Sequence, residues 1–271
     1  MTRKALCLAV LLSVCASAAG YILINHEDAS AANSAAQKTT AARRMPREKV
    51  NRQLLPNRLR WALNEMGTRL ERPGKERQIL TGELQRSGES LPVQLVSEFP
   101  DRLRFVVHGR GAGRTIAFDG KEAKALGSAS DLKDRDLVES LVYDSADHFF
   151  ISLMRGGAIK SVGSRFLSDE GTYTDIYELT DSVAGNSRQH LQTKSYHFNS
   201  DTLLLEKVRY FSEPDGAGIQ VETRFSDWQT TDEQKIPTRI TRLENGGVVW
   251  TLLVNSVALK SKADDGIFNT P

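Results

Sequence analysis

Residues 239–259 read RITRLENGGVVWTLLVNSVAL, and this stretch decides the fold. Two runs rich in β-branched and other apolar residues, Arg239–Leu243 and Val248–Leu259, flank the pair Asn245-Gly246. Asn-Gly between two such runs is the strongest short-range signal for a two-residue hairpin with a type I′ turn. The sequence therefore predicts that this part of the chain is an antiparallel β-hairpin.

The residues before this hairpin continue the two-residue alternation that is typical of strands. The predicted strands are Ile79–Leu84, Leu91–Phe99, Arg102–His108, Thr115–Phe118, Ile159–Phe166, Thr172–Leu179, Gln189–Phe198, Leu203–Phe211 and Ile219–Phe225. Most neighbouring strands have no helix between them, so the pattern predicts an antiparallel meander rather than βαβ units. Because strands twist, a meander of about ten strands curls on itself.

Two regions have the period of a helix instead. The first contains apolar residues that recur three or four positions apart and so share one helix face: Leu55, Leu59, Leu63, Met66 and Leu70. The second is residues 130–155, read as two helices with an N-cap at Ser130-Asp131. The predicted class is mainly β with helices (α+β). It is a strongly curved antiparallel sheet, a half or unclosed β-barrel, with an N-terminal helix and a pair of central helices covering the concave face.

The N-terminal segment, residues 1–24, is interpreted as an export signal. Arg3 and Lys4 precede the uncharged run Ala5–Ile24, and such a charge pattern keeps the first residues cytoplasmic while the run enters the membrane. The run reaches the roughly 20 residues that span a bilayer, yet small residues offer cleavage after Ala18 or Ala31. A cleaved signal peptide and an uncleaved tether to the inner membrane both remain open, and both place the rest of the chain in the periplasm.

The rest of the chain is predicted to be a linker followed by one domain. Residues 25–49 are rich in Ala, Ser, Thr and Arg and are read as flexible, and residues 50–271 as the domain. Cys7 and Cys15 both lie in the signal, so the exported part has no thiol for a disulfide, a metal site or a nucleophile. The formal net charge of +2 gives no electrostatic reason to expect nucleic acid as a partner. We expect a monomer.

Several stretches in the C-terminal part resemble the LolA-like family, the outer-membrane lipoprotein-sorting proteins. The stretches are Thr174–Leu179 (TDIYEL), Tyr196–Leu204 (YHFNSDTLL), Phe225–Trp228 (FSDW), Lys235–Ile240 (KIPTRI) and Asp264–Phe268 (DDGIF). Together they cover about residues 170–271. The resemblance implies an unclosed barrel whose interior binds an acyl chain, a lipid or a lipidated protein. A soluble carrier of this kind requires cleavage of the signal, whereas a tethered domain works near one membrane.

The residues predicted to bind the ligand lie on two walls of the interior. The helix wall consists of Met66, Leu137, Leu141, Phe149, Phe150, Leu153 and Met154. The sheet wall consists of Phe105, Phe118, Tyr210, Phe225 and Trp228. Methionine and aromatic side chains suit a cavity that adapts to acyl chains. The same residues would also fill a solid core, and the family resemblance favours the cavity.

Motifs typical of enzymes are weak, and we predict no catalytic residue, no metal site and no cofactor. Ser130 and Lys133 have the S-x-x-K spacing, but Ser130 is better explained as a helix cap. The Gly-rich stretch 109–113 joins two strands, whereas a phosphate-binding loop opens a helix. The histidines of the domain lack the spacing of metal ligands. The leading hypothesis is a non-catalytic periplasmic binding protein, and the alternative is an envelope interaction or sensor scaffold of the same fold without a cavity.

Overall fold

The computed structural model describes residues 57–66, 76–99, 102–109, 113–120, 122–126, 132–155, 157–167, 171–184, 189–212, 218–261 and 265–268. All of them belong to one compact unit, Lys49–Pro271. The predicted export signal, the linker, the helix positions Leu55 and Leu70 and the N-cap at Ser130-Asp131 lie outside these residues. None of the described helices is both long and apolar enough to cross a membrane.

The described residues form twelve strands. They are β1 (Glu76–Arg86), β2 (Glu89–Glu98), β3 (Arg102–Val107), β4 (Arg114–Phe118), β5 (Ala123–Leu126), β6 (Ala158–Leu167), β7 (Thr172–Ala184), β8 (Gln189–Asn199), β9 (Leu205–Ser212), β10 (Ile219–Thr231), β11 (Gln234–Glu244) and β12 (Gly247–Ser261). Eleven of these strands match predicted ones, apart from their ends. The strand β5 was not predicted, because AKAL is short and lacks β-branched and aromatic residues.

All twelve strands lie in one antiparallel sheet, in the order β5-β4-β3-β2-β1-β12-β11-β10-β9-β8-β7-β6. The first strand pairs with the last, from Glu76 opposite Ser261 to Gln85 opposite Thr251. Every other neighbouring pair follows the chain as a meander. The strands β5 and β6 form the two edges, so the sheet is not closed within the described residues. The predicted fold, a curved and unclosed antiparallel sheet with helices, is confirmed.

Two local features show why the sequence allows this sheet. Asn245 and Gly246 both have positive φ angles, 48° and 80°, which confirms the type I′ hairpin between β11 and β12. At Gly82 the pairing of β1 with β12 shifts by a bulge. A Cβ atom on Gly82 would lie 1.9 Å from the carbonyl oxygen of Leu253. Only glycine permits this close approach of the two strands at the bulge.

Three helices pack on one face of the sheet: α1 (Asn57–Glu65), α2 (Leu132–Tyr143) and α3 (Ala146–Met154). Helices α2 and α3 connect the two edge strands β5 and β6 along the chain. Ser145 separates them and caps α3, since its Oγ accepts a hydrogen bond from the backbone N–H of His148 at 3.0 Å. The buried faces of α1, α2 and α3 share a single apolar cluster with the inward-facing residues of the strands.

Candidate functional site

A cavity of about 130 Å³ lies between the helices and the sheet. Its apolar lining comes from the sheet, from the end of α1 and from the junction of α2 and α3: Met66, Leu80, Leu95, Phe99, Leu103, Leu141, Val142, Ala146, Leu205, Phe225, Trp228, Ile236, Pro237, Ile240, Leu252 and Leu259. An engineered protein cavity of roughly 150 Å³ accepts benzene. This cavity is therefore large enough for the end of an apolar chain or for a small ring.

Four residues of the predicted ligand site line this cavity: Met66, Leu141, Phe225 and Trp228. The remaining described residues of that site contribute to the apolar core without lining the cavity: Phe105, Phe118, Leu137, Phe149, Phe150, Leu153 and Tyr210. The side chain of Met154 lies outside the described part of the chain. The structure thus brings the two predicted walls together in one core, with the open volume at one part of it.

Beneath α3 the interior is filled by aromatic rings. The ring of Phe149 lies 4.6 Å from that of Tyr196 and 5.3 Å from those of Phe150 and Phe198, measured between centroids. Tyr177 adds a further ring, 6.0 Å from Phe198. Tilted and edge-to-face pairs at such separations are favourable. These rings belong to a packed part of the apolar core.

The junction between α2 and α3 is held to the sheet by a buried ionic network around Asp144. Lys194 Nζ, on β8, lies 2.7 Å from Asp144 Oδ1. Thr223 Oγ1, on β10, donates to Asp144 Oδ2 at 2.7 Å. Arg242 Nη1, on β11, lies 3.4 Å from the same oxygen and also donates to the hydroxyl of Tyr210, on β9, at 3.1 Å. Four neighbouring strands thus contact one helix junction.

The charges in this network shift the acidities of its members. Burial alone would raise the pKa of Asp144, but the attraction of Lys194 and Arg242 outweighs it and the pKa is lowered. Burial and the negative charge of Asp144 raise the pKa of Tyr210. Both groups therefore keep their usual protonation at neutral pH, with Asp144 ionised and Tyr210 neutral. Neither Asp144 nor Tyr210 is poised to exchange a proton near pH 7, which fits a structural role for these two residues.

The other end of α2 is fixed in a similar way. Asp134 is buried in the first turn of the helix. A negative charge at this position also interacts favourably with the helix dipole. Arg86 Nη2, at the end of β1, lies 2.9 Å from Asp134 Oδ1. Arg114 Nε, at the start of β4, lies 3.0 Å from Asp134 Oδ2. Both ends of α2 are therefore ion-paired to the sheet.

Sequence reasoning missed the polar part of the cavity lining. Gln78 and Gln234 belong to strands, and Glu98 and Arg102 stand where a strand ends or begins. A polar residue in an antiparallel strand usually points to solvent, so the pattern of polar and apolar residues gives no reason to place these residues inside. For Gln78 the alternation with Leu80 is a signal, since residues two apart in a strand share a face.

Within the described residues, no group of three His, Cys, Asp or Glu side chains is placed to bind a metal ion. His197 is buried on β8 and has a pKa lowered to about 4, first by burial and then by the charge of Lys207. A neutral, buried histidine of this kind suits a structural position in the sheet. The absence of catalytic residues stays a prediction.

Comparison with solved structures supports the fold. A LolA superfamily protein from Nitrosomonas europaea is similar with a TM-score of 0.52 at 14% identity, over 78% of this chain and 97% of that protein. An outer membrane lipoprotein-sorting protein domain from Vibrio parahaemolyticus has a TM-score of 0.47 at 11% identity, over 71% and 89%. A DUF1329 family protein from Desulfovibrio piger has a TM-score of 0.48 at 13% identity, over 77% and 94%.

The first of these similarities carries the conclusion that this chain has a LolA-like fold, and it confirms the resemblance seen in the sequence. At this level of identity it concerns the fold alone. No protein-family model matches the chain, and no curated protein matches it in sequence.

Proposed function

We propose that this chain is a non-catalytic, exported binding protein that holds the apolar part of an amphiphilic ligand, such as a lipid or a lipidated protein. The observation that carries the proposal is the cavity of about 130 Å³ between the helices and the sheet. Pockets for small ligands are concave, mostly apolar and furnished with a few polar groups. The lining of this cavity has that composition.

The size of the cavity limits what it holds. A volume close to that of a benzene-sized hole accepts the end of a chain rather than a whole lipid. Met66, at the end of α1, is the flexible side chain on its lining, and methionine adapts readily to different shapes. A longer chain would fit if α1 moved away from the sheet, because Met66 directly follows α1 and the ion pairs at the ends of α1 include the half-exposed side chains of Arg58 and Glu65.

The cellular location is proposed from the N-terminal sequence. Two positive charges followed by the apolar run Ala5–Ile24 are typical of a segment that directs export. The proposed location is therefore the periplasm, where the chain is either a soluble protein after cleavage or a domain tethered to the inner membrane. An intact-mass measurement of the protein from the periplasm distinguishes the two, because cleavage after Ala18 or Ala31 removes a defined mass.

The direct test is to ask what the protein carries. The full chain is expressed with its export segment, purified without detergent and analysed by native mass spectrometry for bound amphiphiles. The uncharged apolar dye phenylnaphthylamine, which fluoresces in apolar surroundings, then reports binding to the emptied protein. We expect a co-purifying amphiphile that competes with the dye. A protein that carries none and leaves the dye dark would exclude the proposed function.

A second candidate function is protein binding at the edge of the sheet, and one observation favours it. Phe166 on the edge strand β6 and Tyr173 on β7 are 54% and 58% exposed, with ring centroids 5.1 Å apart. An edge strand beside exposed aromatic side chains is suited to pair with a strand of another protein. A photo-crosslinking residue at Phe166 would capture one defined envelope protein, whereas the same residue at Phe211, exposed on β9, would not.

A further inference from the structure

Three uncharged side chains on the cavity lining each have a buried polar atom without a hydrogen-bond partner among the described residues. These atoms are Nε1 of Trp228, Nε2 of Gln78 and Oε1 of Gln234. Gln234 as a whole is only 1% exposed. Buried polar atoms in proteins are paired in the great majority of cases, and an unpaired one lowers stability. Three such atoms around one cavity point to a ligand that pairs with them.

The hydrogen bonds that these side chains do make determine which atoms remain. Gln234 Nε2 donates to Glu76 Oε2 at 2.9 Å, and an ionised carboxylate can only accept, so Oε1 of Gln234 is left as an acceptor. Ser97 Oγ donates to Gln78 Oε1 at 3.4 Å, which leaves Nε2 of Gln78 as a donor. The indole nitrogen of Trp228 can only donate. These three side chains therefore leave two donors and one acceptor unpaired.

The charged residues of the lining further restrict the kind of ligand that binds. The lining carboxylates of Glu76, Glu98 and Asp147 outnumber the lining cation Arg102, and they still outnumber the cations when Arg77, which lies 3.7 Å from Glu98, is counted. The guanidinium of Arg102 also lies over the ring of Phe268, 6.0 Å from its centroid. Like charges that are brought together repel each other, more strongly where water is partly excluded. A ligand with a negatively charged head is therefore disfavoured in this cavity.

We propose that the ligand of this cavity is an acyl amide, an apolar chain joined to an uncharged secondary amide. Its carbonyl oxygen accepts from Trp228 Nε1 or Gln78 Nε2, and its N–H donates to Gln234 Oε1. A carboxylate or an ester has no donor for Gln234, and an ammonium group has no acceptor for Trp228 and Gln78. The amide alone of these groups carries both. This inference rests on the proposed function, since it names the polar group of the bound amphiphile.

The test compares compounds that share one chain and differ in the head. The full chain is titrated with N-methyldodecanamide, methyl dodecanoate, dodecanoate and dodecyltrimethylammonium, each below its critical micelle concentration, by displacement of phenylnaphthylamine. We expect the amide to bind about tenfold more tightly than the ester, which loses one hydrogen bond. Dodecanoate is expected to bind least. If none of the compounds binds, the proposed function fails; if all bind with no preference for the amide, only this inference fails.

Two substitutions test the named contacts. Trp228→Phe removes the indole donor and keeps an aromatic ring, and Gln234→Met removes the amide at similar size. Each is expected to lower the affinity for the amide by about tenfold and to leave that for dodecyltrimethylammonium within about twofold. Trp61→Phe and Gln229→Met, at exposed positions, are the matched controls and are expected to change neither. An unchanged preference for the amide in both Trp228→Phe and Gln234→Met would overturn the assignment.

An acyl amide can belong to a lipid or to an acylated protein, and one more compound separates these sources. A short peptide amide with an N-terminal dodecanoyl group presents the same amide with peptide beyond it. Binding tighter than that of N-methyldodecanamide identifies an acylated protein as the source, and equal or weaker binding identifies a lipid. Both results retain the acyl amide as the recognised group, whereas dodecanoate binding as tightly as either amide would contradict it.

Discussion

The polar groups inside this fold behave differently in two regions of the same interior. At the junction of α2 and α3, Asp144 contacts Lys194, Thr223 and Arg242, so its carboxylate is fully engaged. At the cavity, Trp228 and other lining residues have buried polar atoms without partners among the described residues. The first region, which we call the anchored region, fixes the helices to the sheet. The second, the cavity region, offers unused hydrogen bonds to a ligand.

The strand β1 runs from the cavity to the start of α2. Glu76 at its start lines the cavity, and Arg86 at its end pairs with Asp134 of α2. Eleven residues of extended chain are roughly 35 Å long. One end of β1 thus lies at the cavity and the other end anchors the start of α2, whereas the junction around Asp144 adjoins the cavity, because Ser145 belongs to the cavity lining.

The largest expected effect comes from breaking the anchored region. Asp144→Asn removes the carboxylate that Lys194 and Arg242 both contact, and leaves these two cations without it in a buried site. Loss of one partner from a buried ion pair typically costs about 3–5 kcal/mol. We expect a decrease of that size in the free energy of unfolding, measured by urea denaturation.

The matched control for this change is Asp227→Asn. Asp227 pairs with Arg239 at 2.9 Å, and both side chains are exposed. An exposed pair contributes about 0–1 kcal/mol, so the control should unfold almost like the original protein. Equal losses in the two variants would mean that the Asp144 network does not anchor the helices.

The next effect is a dependence of stability on pH that comes from the outer side of the sheet and not from the anchored region. His197 lies next to inward-facing Tyr196 and Phe198 and so faces the other way. Its pKa is about 4 in the folded protein, against about 6.5 unfolded. The charged groups that act on it are Lys207, Arg209, Glu222 and Arg165.

Because the folded protein resists protonation of His197, the unfolded chain binds more protons between these two pKa values. The contribution of His197 to the free energy of unfolding is therefore complete above pH 6.5. It decreases as the pH drops towards 4, by up to about 3 kcal/mol. Because the pKa of Asp144 is lowered, the contribution of its carboxylate to stability is lost only at pH values below this range. Urea denaturation from pH 7 to 4 should show the decline, and His197→Asn should flatten it. A decline that is unchanged in the variant would contradict the assignment.

A smaller effect is expected from filling the cavity. Ala146, buried at the start of α3, lies on the lining, and Ala146→Leu would place a larger apolar side chain in the open volume. Such filling commonly raises the free energy of unfolding by about 0.5–2 kcal/mol. Binding of phenylnaphthylamine should fall at least tenfold in the same variant. The control is Ala258→Leu, at an exposed position on β12, which should change neither quantity.

The smallest effect concerns local motion of the helices. The ends of α1 are held by the pairs of Arg58 with Asp175 and of Glu65 with Lys235, in which Arg58 and Glu65 are half-exposed. The ends of α2 are held by Asp134 and Asp144, both buried. We expect backbone amides of α1 to exchange hydrogen faster than those of α2 in hydrogen-exchange mass spectrometry. Faster exchange in α2 would show that the buried ion pairs do not stabilise it.

The sequence predicted what depends on local pattern. Alternation located eleven strands, and Asn245-Gly246 specified a turn that the φ angles confirm. The pairing of β1 with β12 joins the two ends of the domain and leaves no local signal. The Asp144 network is equally distant, because Lys194 and Arg242 lie 50 and 98 residues away along the chain.

The candidate site was predicted in part for the same reason. The pattern of apolar helix positions and aromatic side chains pointed to Met66, Leu141, Phe225 and Trp228, which line the cavity. It could not divide the core into filled and open parts, because that depends on how side chains from distant strands meet. It also missed Gln78 and the other polar lining residues, since binary patterning assigns polar side chains in strands to the surface.

The most direct test of ligand binding in the cavity uses the fluorescence of Trp228, which belongs to the lining, as the reporter. In the full chain with Trp61→Phe and Trp250→Phe, Trp228 is the remaining tryptophan. The protein is titrated with an N-methyl acyl amide that carries bromine at the end of its chain, a quencher that acts at contact range, and with the unbrominated compound as control. We predict saturable quenching by the brominated compound alone. Binding without quenching, or no binding, would contradict the account.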